Sequence, residues 1–118
     1  MSLVSSSQDF PVYGNNSFLR VLWSGLAVND VGDAFVLSNY ADRSFQVVGT
    51  FGGAAIVVEG SNDGVNYSTL NDPQGNPISL STAKIEAISE LVVNIRPRVV
   101  GGDGTTALNV IALVKKAS

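Results

Sequence analysis

The sequence predicts an all-β fold, a small antiparallel β-sandwich or jelly-roll-like domain with an extended N-terminal arm, on three observations. Apolar and polar residues alternate along several segments, the period of a pleated strand with one buried face. Strand-like segments recur every ~8–14 residues with Gly, Asn, Asp and Pro between them, which is the spacing of sandwiches. No internal repeat or second domain is visible, and 118 residues with 45% hydrophobic content suffice for one core, since a domain of this size buries roughly two-thirds of its unfolded surface.

Residues 1–17 are read as the arm and 18–118 as the sandwich. In the arm, Ser5-Ser6-Ser7 and Gly14-Asn15-Asn16 break any period and Pro11 disfavours a helix. Phe10, Val12 and Tyr13 nevertheless sit there, so the segment is either a frayed terminus or an arm whose aromatics dock on a neighbour. The run FLRVLW (18–23) is rich in β-formers, and NDVGD (29–33) reads as a turn. Residues 34–37 are short and apolar, and 38–42 form a loop. Residues 44–51 alternate, and Gly52-Gly53 reads as a hairpin turn into the next alternating run, 54–59. Residues 67–70 make a short strand. Residues 82–91 are ambiguous: Ile85, Ile88 and Leu91 have helical spacing behind a capping Ser81, so either a short strand or a single helical turn fits. Residues 92–100 alternate again, Gly101-Gly102-Asp103-Gly104 reads as a second hairpin turn, and 107–114 closes the fold. That last run, ALNVIALV, has almost no polar face. A sandwich strand normally keeps one wet side, so the second apolar face implies cover, by the chain's own loops or by another subunit.

Composition excludes several kinds of chemistry. The chain has neither Cys nor His, which removes disulfides, thiol nucleophiles, histidine triads and the usual transition-metal ligands. A net charge of −3 with 14% charged residues argues against a nucleic-acid stripe. Residues 1–7 have neither the basic start nor the apolar core of a signal peptide, and the longest apolar run falls short of the ~18 residues that cross a bilayer. Synthesis as a cytoplasmic chain is therefore expected, with no membrane partner.

The stretch Glu59-Gly60-Ser61-Asn62-Asp63-Gly64 offers carboxylates, an amide and two glycines. It lacks the oxygen ligands at fixed alternation of a calcium loop. Asp63-Gly64 reads instead as a two-residue hairpin turn, in which Asn would serve as well as Asp63. Asn29 to Asp33 likewise reads as a turn, with a weak calcium site as the other possibility. The glycine-rich spans lack the lysine and strand-to-helix context of a phosphate loop, and the acids lie mostly in turns, not as a glycosidase pair in a cleft. No catalytic, cofactor or metal site is expected, and the chain reads as a non-enzyme. Arg96-Pro97-Arg98 is the basic cluster. Pro97 cannot donate to a ladder, which predicts an edge strand or a bulge there. Arg96 and Arg98 then share one face, either as charges protecting the edge or as a pair meeting a partner's carboxylates.

The runs VVGTFGGAAIVVEGSNDG (47–64), DPQGNPI (72–78), Ile95-Arg96-Pro97 and GGDGTT (101–106) resemble small virion proteins of tailed phages. Over residues 18–114 the chain is similar to the β-sandwich proteins encoded beside the phage major capsid protein, the head decoration or cement proteins. The resemblance implies a structural virion protein on the capsid surface, binding the major capsid protein and bridging its subunits. It would be present as a homo-oligomer or in many copies on a lattice. Phe10, Val12, Tyr13, Arg96 and Arg98 are the expected partner-binding residues. Residues 60–67 also resemble a hairpin of discoidin-type jelly rolls, although the chain is shorter and lacks their terminal cysteines. The alternative is therefore a carbohydrate- or receptor-binding module of a phage tail or fibre, with Tyr40 and Tyr67 as its aromatic platform.

Overall fold

Each alternating run sends its apolar members to one side, and two sheets close over them. The computed structural model describes residues 3–9, 18–36 and 40–116. Twelve strands follow in chain order: β1 (Leu3–Val4), β2 (Ser6–Asp9), β3 (Phe18–Leu26), β4 (Val31–Gly32), β5 (Phe35–Val36), β6 (Tyr40–Thr50), β7 (Ala55–Ser61), β8 (Ser68–Thr69), β9 (Ser79–Leu80), β10 (Lys84–Ala87), β11 (Asn94–Val100) and β12 (Ala107–Lys116). One sheet runs β10-β6-β12-β3-β2; the other runs β1-β4-β11-β7-β8, with β5 also on β11 and β9 also on β7. Pairing is antiparallel except between β1 and β4. The expected all-β sandwich is the fold.

The core lies between β12 and β3 on one side and β7 and β11 on the other. Leu108, Val110, Ala112 and Val114 of β12 alternate inward and are fully buried, as are Ile56, Val58 and Ile95 opposite. Residues 82–91 resolve as a strand: Lys84 to Ala87 pair with β6 along the sheet edge, and the helical spacing of Ile85, Ile88 and Leu91 is coincidental. Ile88 is buried while Ile85 and Leu91 are exposed, so no apolar helical stripe exists.

Residues 3–9 of the expected arm belong to the sandwich. β1 pairs with β4 in one sheet, and after a single residue β2 pairs with β3 in the other. The chain start thus laces the two layers together. Phe10, Val12 and Tyr13 lie outside the described residues.

Both glycine turns read from the sequence as hairpins are corners between sheets. Gly52 and Gly53 have φ of 58° and 82°, and the Ala54 amide donates to the Phe51 carbonyl at 3.0 Å, which is the geometry of a tight hairpin turn. Yet β6 and β7, which it joins, lie in different sheets. The turn at 101–106 likewise carries the chain from β11 to β12, across the sandwich. The two corners pack on each other: Thr106 Oγ1 donates to the Phe51 carbonyl at 2.9 Å and accepts from the Asp103 amide at 3.0 Å. Local turn geometry does not specify which strands pair, because both strands of such a turn find better partners elsewhere.

Trp23 of β3 lies between Ser6 of β2 and Val110 of β12 in its sheet. It is fully buried, its ring tilted on Phe45 with centroids 5.8 Å apart, a favourable arrangement for the ring quadrupoles. Its indole N–H reaches Asp33, donating to the backbone carbonyl at 3.0 Å and to Oδ1 at 2.9 Å. The same Oδ1 accepts from the Ser6 amide, and the Asp33 amide donates to the Val4 carbonyl. Gly32 makes the approach possible, since a Cβ there would stand 2.6 Å from the Trp23 ring and 2.7 Å from the Pro97 ring. Two rigid rings leave no room to yield, so Gly32→Ala is expected to lower the unfolding free energy by about 1–3 kcal/mol, the usual cost of overpacking. Urea denaturation followed by tryptophan fluorescence measures it; a variant as stable as the parent would mean that the rings shift freely.

Candidate functional site

Arg96 and Arg98 do share one face, as the alternation of β11 requires, but their strand is not an edge. β11 lies inside the seven-stranded sheet, paired with β7 along its whole length and with β4 and β5 on its other flank. Pro97 is tolerated because it falls in the gap between them: Asn94 and Ile95 pair with β5, and Arg98 pairs with β4. The missing N–H faces that gap, since Val99 two residues on points its amide to that flank and donates to the Asp30 carbonyl at 2.8 Å.

The carboxylate that meets the arginines is the chain's own Glu59. It stands directly across from Arg96 in the β7–β11 ladder. Its Oε1 accepts from Arg96 Nε at 3.0 Å and its Oε2 from Arg98 Nε at 2.8 Å. Glu59 keeps 9% of its side chain exposed, against 28% and 39% for the arginines. A carboxylate this buried needs charged partners, and two guanidinium groups supply them. Arg96 also lies 3.7 Å from the centre of the Tyr67 ring, a cation–π contact. Both bonds run through Nε, so neither uses the terminal nitrogens of the guanidinium groups. Tyr67 is therefore committed to Arg96 and is not a free aromatic platform; the side chain of Tyr40 lies outside the described residues. Glu59 was not singled out with the arginines in the sequence, because its role depends on the β7–β11 register.

A second surface lies on the outer face of the five-stranded sheet. Leu22, Ile111 and Gln46 form a row across β3, β12 and β6, continued by Ile85 of β10. Leu113 is 39% and Ile85 60% exposed. The unusual run of apolar residues in β12 thus has one face in the core and one face turned outward, where Ile111 is half-buried and Leu113 exposed. Asn109 accepts from the Ser24 hydroxyl at 3.2 Å and the Gly25 amide at 3.0 Å, plugging the bulge where β3 slips against β12.

The acidic loops are spent on the backbone. Asp30 Oδ2 accepts from the Ala27 amide at 2.9 Å and closes the turn before β4, while Asp33 holds Trp23. Asp63 is not part of a two-residue hairpin. β7 ends at Ser61 and β8 begins at Ser68, leaving a six-residue loop wound around one carboxylate. Asp63 Oδ1 accepts from the Val65 and Asn66 amides at 2.8 Å each and from Ser61 Oγ, and Oδ2 accepts from Asn66 Nδ2. Bonds from the Asn66 and Val65 amides, ahead of those from side chains, hold this carboxyl well below the usual carboxylate range. Among the described residues no three acidic side chains converge as metal ligands.

The chain matches no protein-family model and no curated protein. Its fold is similar to the crystal structure of the SPBc2 prophage-derived protein YomS, with a TM-score of 0.65 and 13% identity over 82% of this chain and 93% of that one.

Two outcomes are expected from these contacts. Glu59→Ala leaves two half-buried guanidinium groups without their shared anion and should cost about 1–3 kcal/mol in urea denaturation, less than a fully buried pair because the arginines are partly wet. Adding Arg98→Ala should then cost less than the sum of the single changes; additivity would mean that the carboxylate does not bridge. Asp63→Asn should not be silent, since its amide NH₂ would oppose a donor. A carboxyl with depressed pKa stabilises the fold above its unfolded value of about 3.9 and loses that contribution as pH falls. The melting temperature of Asp63→Asn should lie below the parent at neutral pH, and the gap should close as the pH drops below about 4. A gap that stays constant with pH would assign the loss to something other than the charge.

Proposed function

We propose that the protein is a phage-associated structural protein, a decoration or cement subunit that sits on the outer surface of the capsid and bridges copies of the major capsid protein. The observation that carries this reading is a pair of unlike surfaces on opposite sides of a domain whose core is already complete. The outer face of the five-stranded sheet sets Leu22, Ile111 and a more exposed Leu113 among Arg20, Gln46 and Ser44; the outer face of the other sheet carries two guanidinium groups gathered on Glu59. A bridge needs two faces, and these suit an apolar and an acidic patch on neighbouring subunits. The fold likeness to a prophage-derived protein supports the phage setting.

Dimensions favour many weak attachments over one strong one. Five strands spaced ~4.8 Å apart make a face ~24 Å wide, and its outward rows extend ~20 Å, giving ~500 Å². A standard interface takes ~800 Å² from each partner. One face alone falls short, so binding gains from engaging both faces within a lattice, where the second contact is intramolecular. Each copy then stabilises the assembled shell by mass action, because it binds the shell and not free subunits.

The test is co-sedimentation of the purified protein with heads assembled from the capsid protein alone, followed by thermal melting of the heads. Saturable binding and a raised head melting temperature are expected. Leu113→Lys, which places a charge on that outward face, should weaken binding about tenfold, the size of a ~1.4 kcal/mol loss, with the melting of the free domain unchanged. Heads that bind none of the parent protein would overturn the reading; binding to tail fibres or host glycans in their place would assign a receptor-binding module.

A further inference from the structure

The end of the sandwich beside the Asp63 loop contains a cleft of about 520 Å³. Leu70 and Val92 line its apolar side, and Gly60 lets them close in, since a Cβ there would lie 2.8 to 2.9 Å from both side chains. Asn62, Asn66 and Ser68 supply polar groups, together with the carboxylates of Asp63 and Glu90. None of the residues of the two surfaces described above lines it.

The bonding already present narrows the ligand. Asp63 accepts four hydrogen bonds within its own loop. Glu90 accepts from the Asn71 amide at 2.7 Å and from Asn71 Nδ2 at 2.6 Å. Two carboxylates so occupied are poor ligands for a cation, which needs several oxygens free to converge. They also repel an anion, and among the described residues no Lys or Arg lines the cleft to offset them. What remains open is neutral: Asn62 Oδ1 accepts from the Val93 amide and Asn66 Nδ2 donates to Asp63 Oδ2, leaving an amide donor on the first and an amide acceptor on the second. Fixed amides and a hydroxyl above an apolar floor suit a ligand with several hydroxyls on one side and C–H groups on the other. The volume lies within the ~300–1,000 Å³ of small-molecule sites, and the Asp63 network holds the rim in place before any ligand arrives, which lowers the ordering cost of binding.

We infer that this cleft is a binding site for a neutral saccharide unit, formed by Asn62, Asn66 and Ser68 over Leu70 and Val92. The inference goes beyond capsid attachment and stands or falls apart from it, because the cleft shares no residue with the sheet faces. The experiment is titration of the ¹⁵N-labelled full chain with glucose, galactose and N-acetylglucosamine, each to tens of millimolar, read by amide chemical shifts, with glycerol as the control polyol. At least one sugar should produce saturable shifts confined to residues 60–70 and 90–93. Ser68→Tyr, which fills the cleft while keeping the β7–β8 backbone pairing, should abolish them with the rest of the spectrum unchanged. No saturable shift with any of the three sugars, shifts equal to those with glycerol, or shifts that persist in Ser68→Tyr would each overturn the assignment.

Discussion

The contact between the Trp23 indole and Asp33 is the joint on which the arrangement of strands depends. A buried indole N–H must find an acceptor, and the acceptor here belongs to the residue that follows β4. Satisfying it pins β4 against β3 across the two sheets. The same aspartate collects the Ser6 amide and donates its own amide to Val4, so β1 and β2 are placed by the same residue. Gly32 and Pro97 complete the joint by shape: one removes a side chain where the ring must pass, and the other fills the space that the interruption between β4 and β5 leaves beside β11.

Charge is used sparingly, and much of it is bonded within the chain. Asp30, Asp33, Asp63, Glu59 and Glu90 each accept bonds from the chain itself. Arg43, buried on β6, donates to the Glu90 carbonyl, and burial pulls its pKa down against the opposing effect of Asp42 and Glu90. With several of its acids committed to bonds within the chain, the protein presents one sheet face that mixes Leu22, Ile111 and Leu113 with Arg20 and Gln46, and another that carries Arg96 and Arg98.

The two sheets differ in how far long side chains cover their outer faces. On β7 the outward residues Val57 and Glu59 are buried because Arg98 and Arg96 stand directly across from them, long side chains whose stems cover apolar surface while their heads remain wet. On β12 the outward Ile111 faces Leu22 and Gln46, and Leu113 faces Arg20 and Ser44; Leu113 keeps 39% of its surface exposed although an arginine stands across from it.

Alternation along β3, β6, β7, β11 and β12 determined by itself that the protein is an all-β sandwich, because a period of two assigns each residue to the core or to the outside whatever the partner strand. It also placed Arg96 and Arg98 on one face and marked β12 as apolar on both. Gly52 and Gly53 determined a tight turn through their positive φ. Tertiary structure alone decided that this turn and the one at 101–106 cross between sheets, that Pro97 lies in a central strand, and that Glu59 is the arginines' partner. Each of these depends on which distant strands pair and in what register, and that choice follows from the summed burial of the whole core and not from any local run of residues. The Asp63 loop shows the same division at short range. Its residues announced a turn, but its length and its winding about one carboxylate followed from where β7 and β8 stop pairing, a matter of side-chain bonds from Ser61 and Asn66 that spacing alone does not encode.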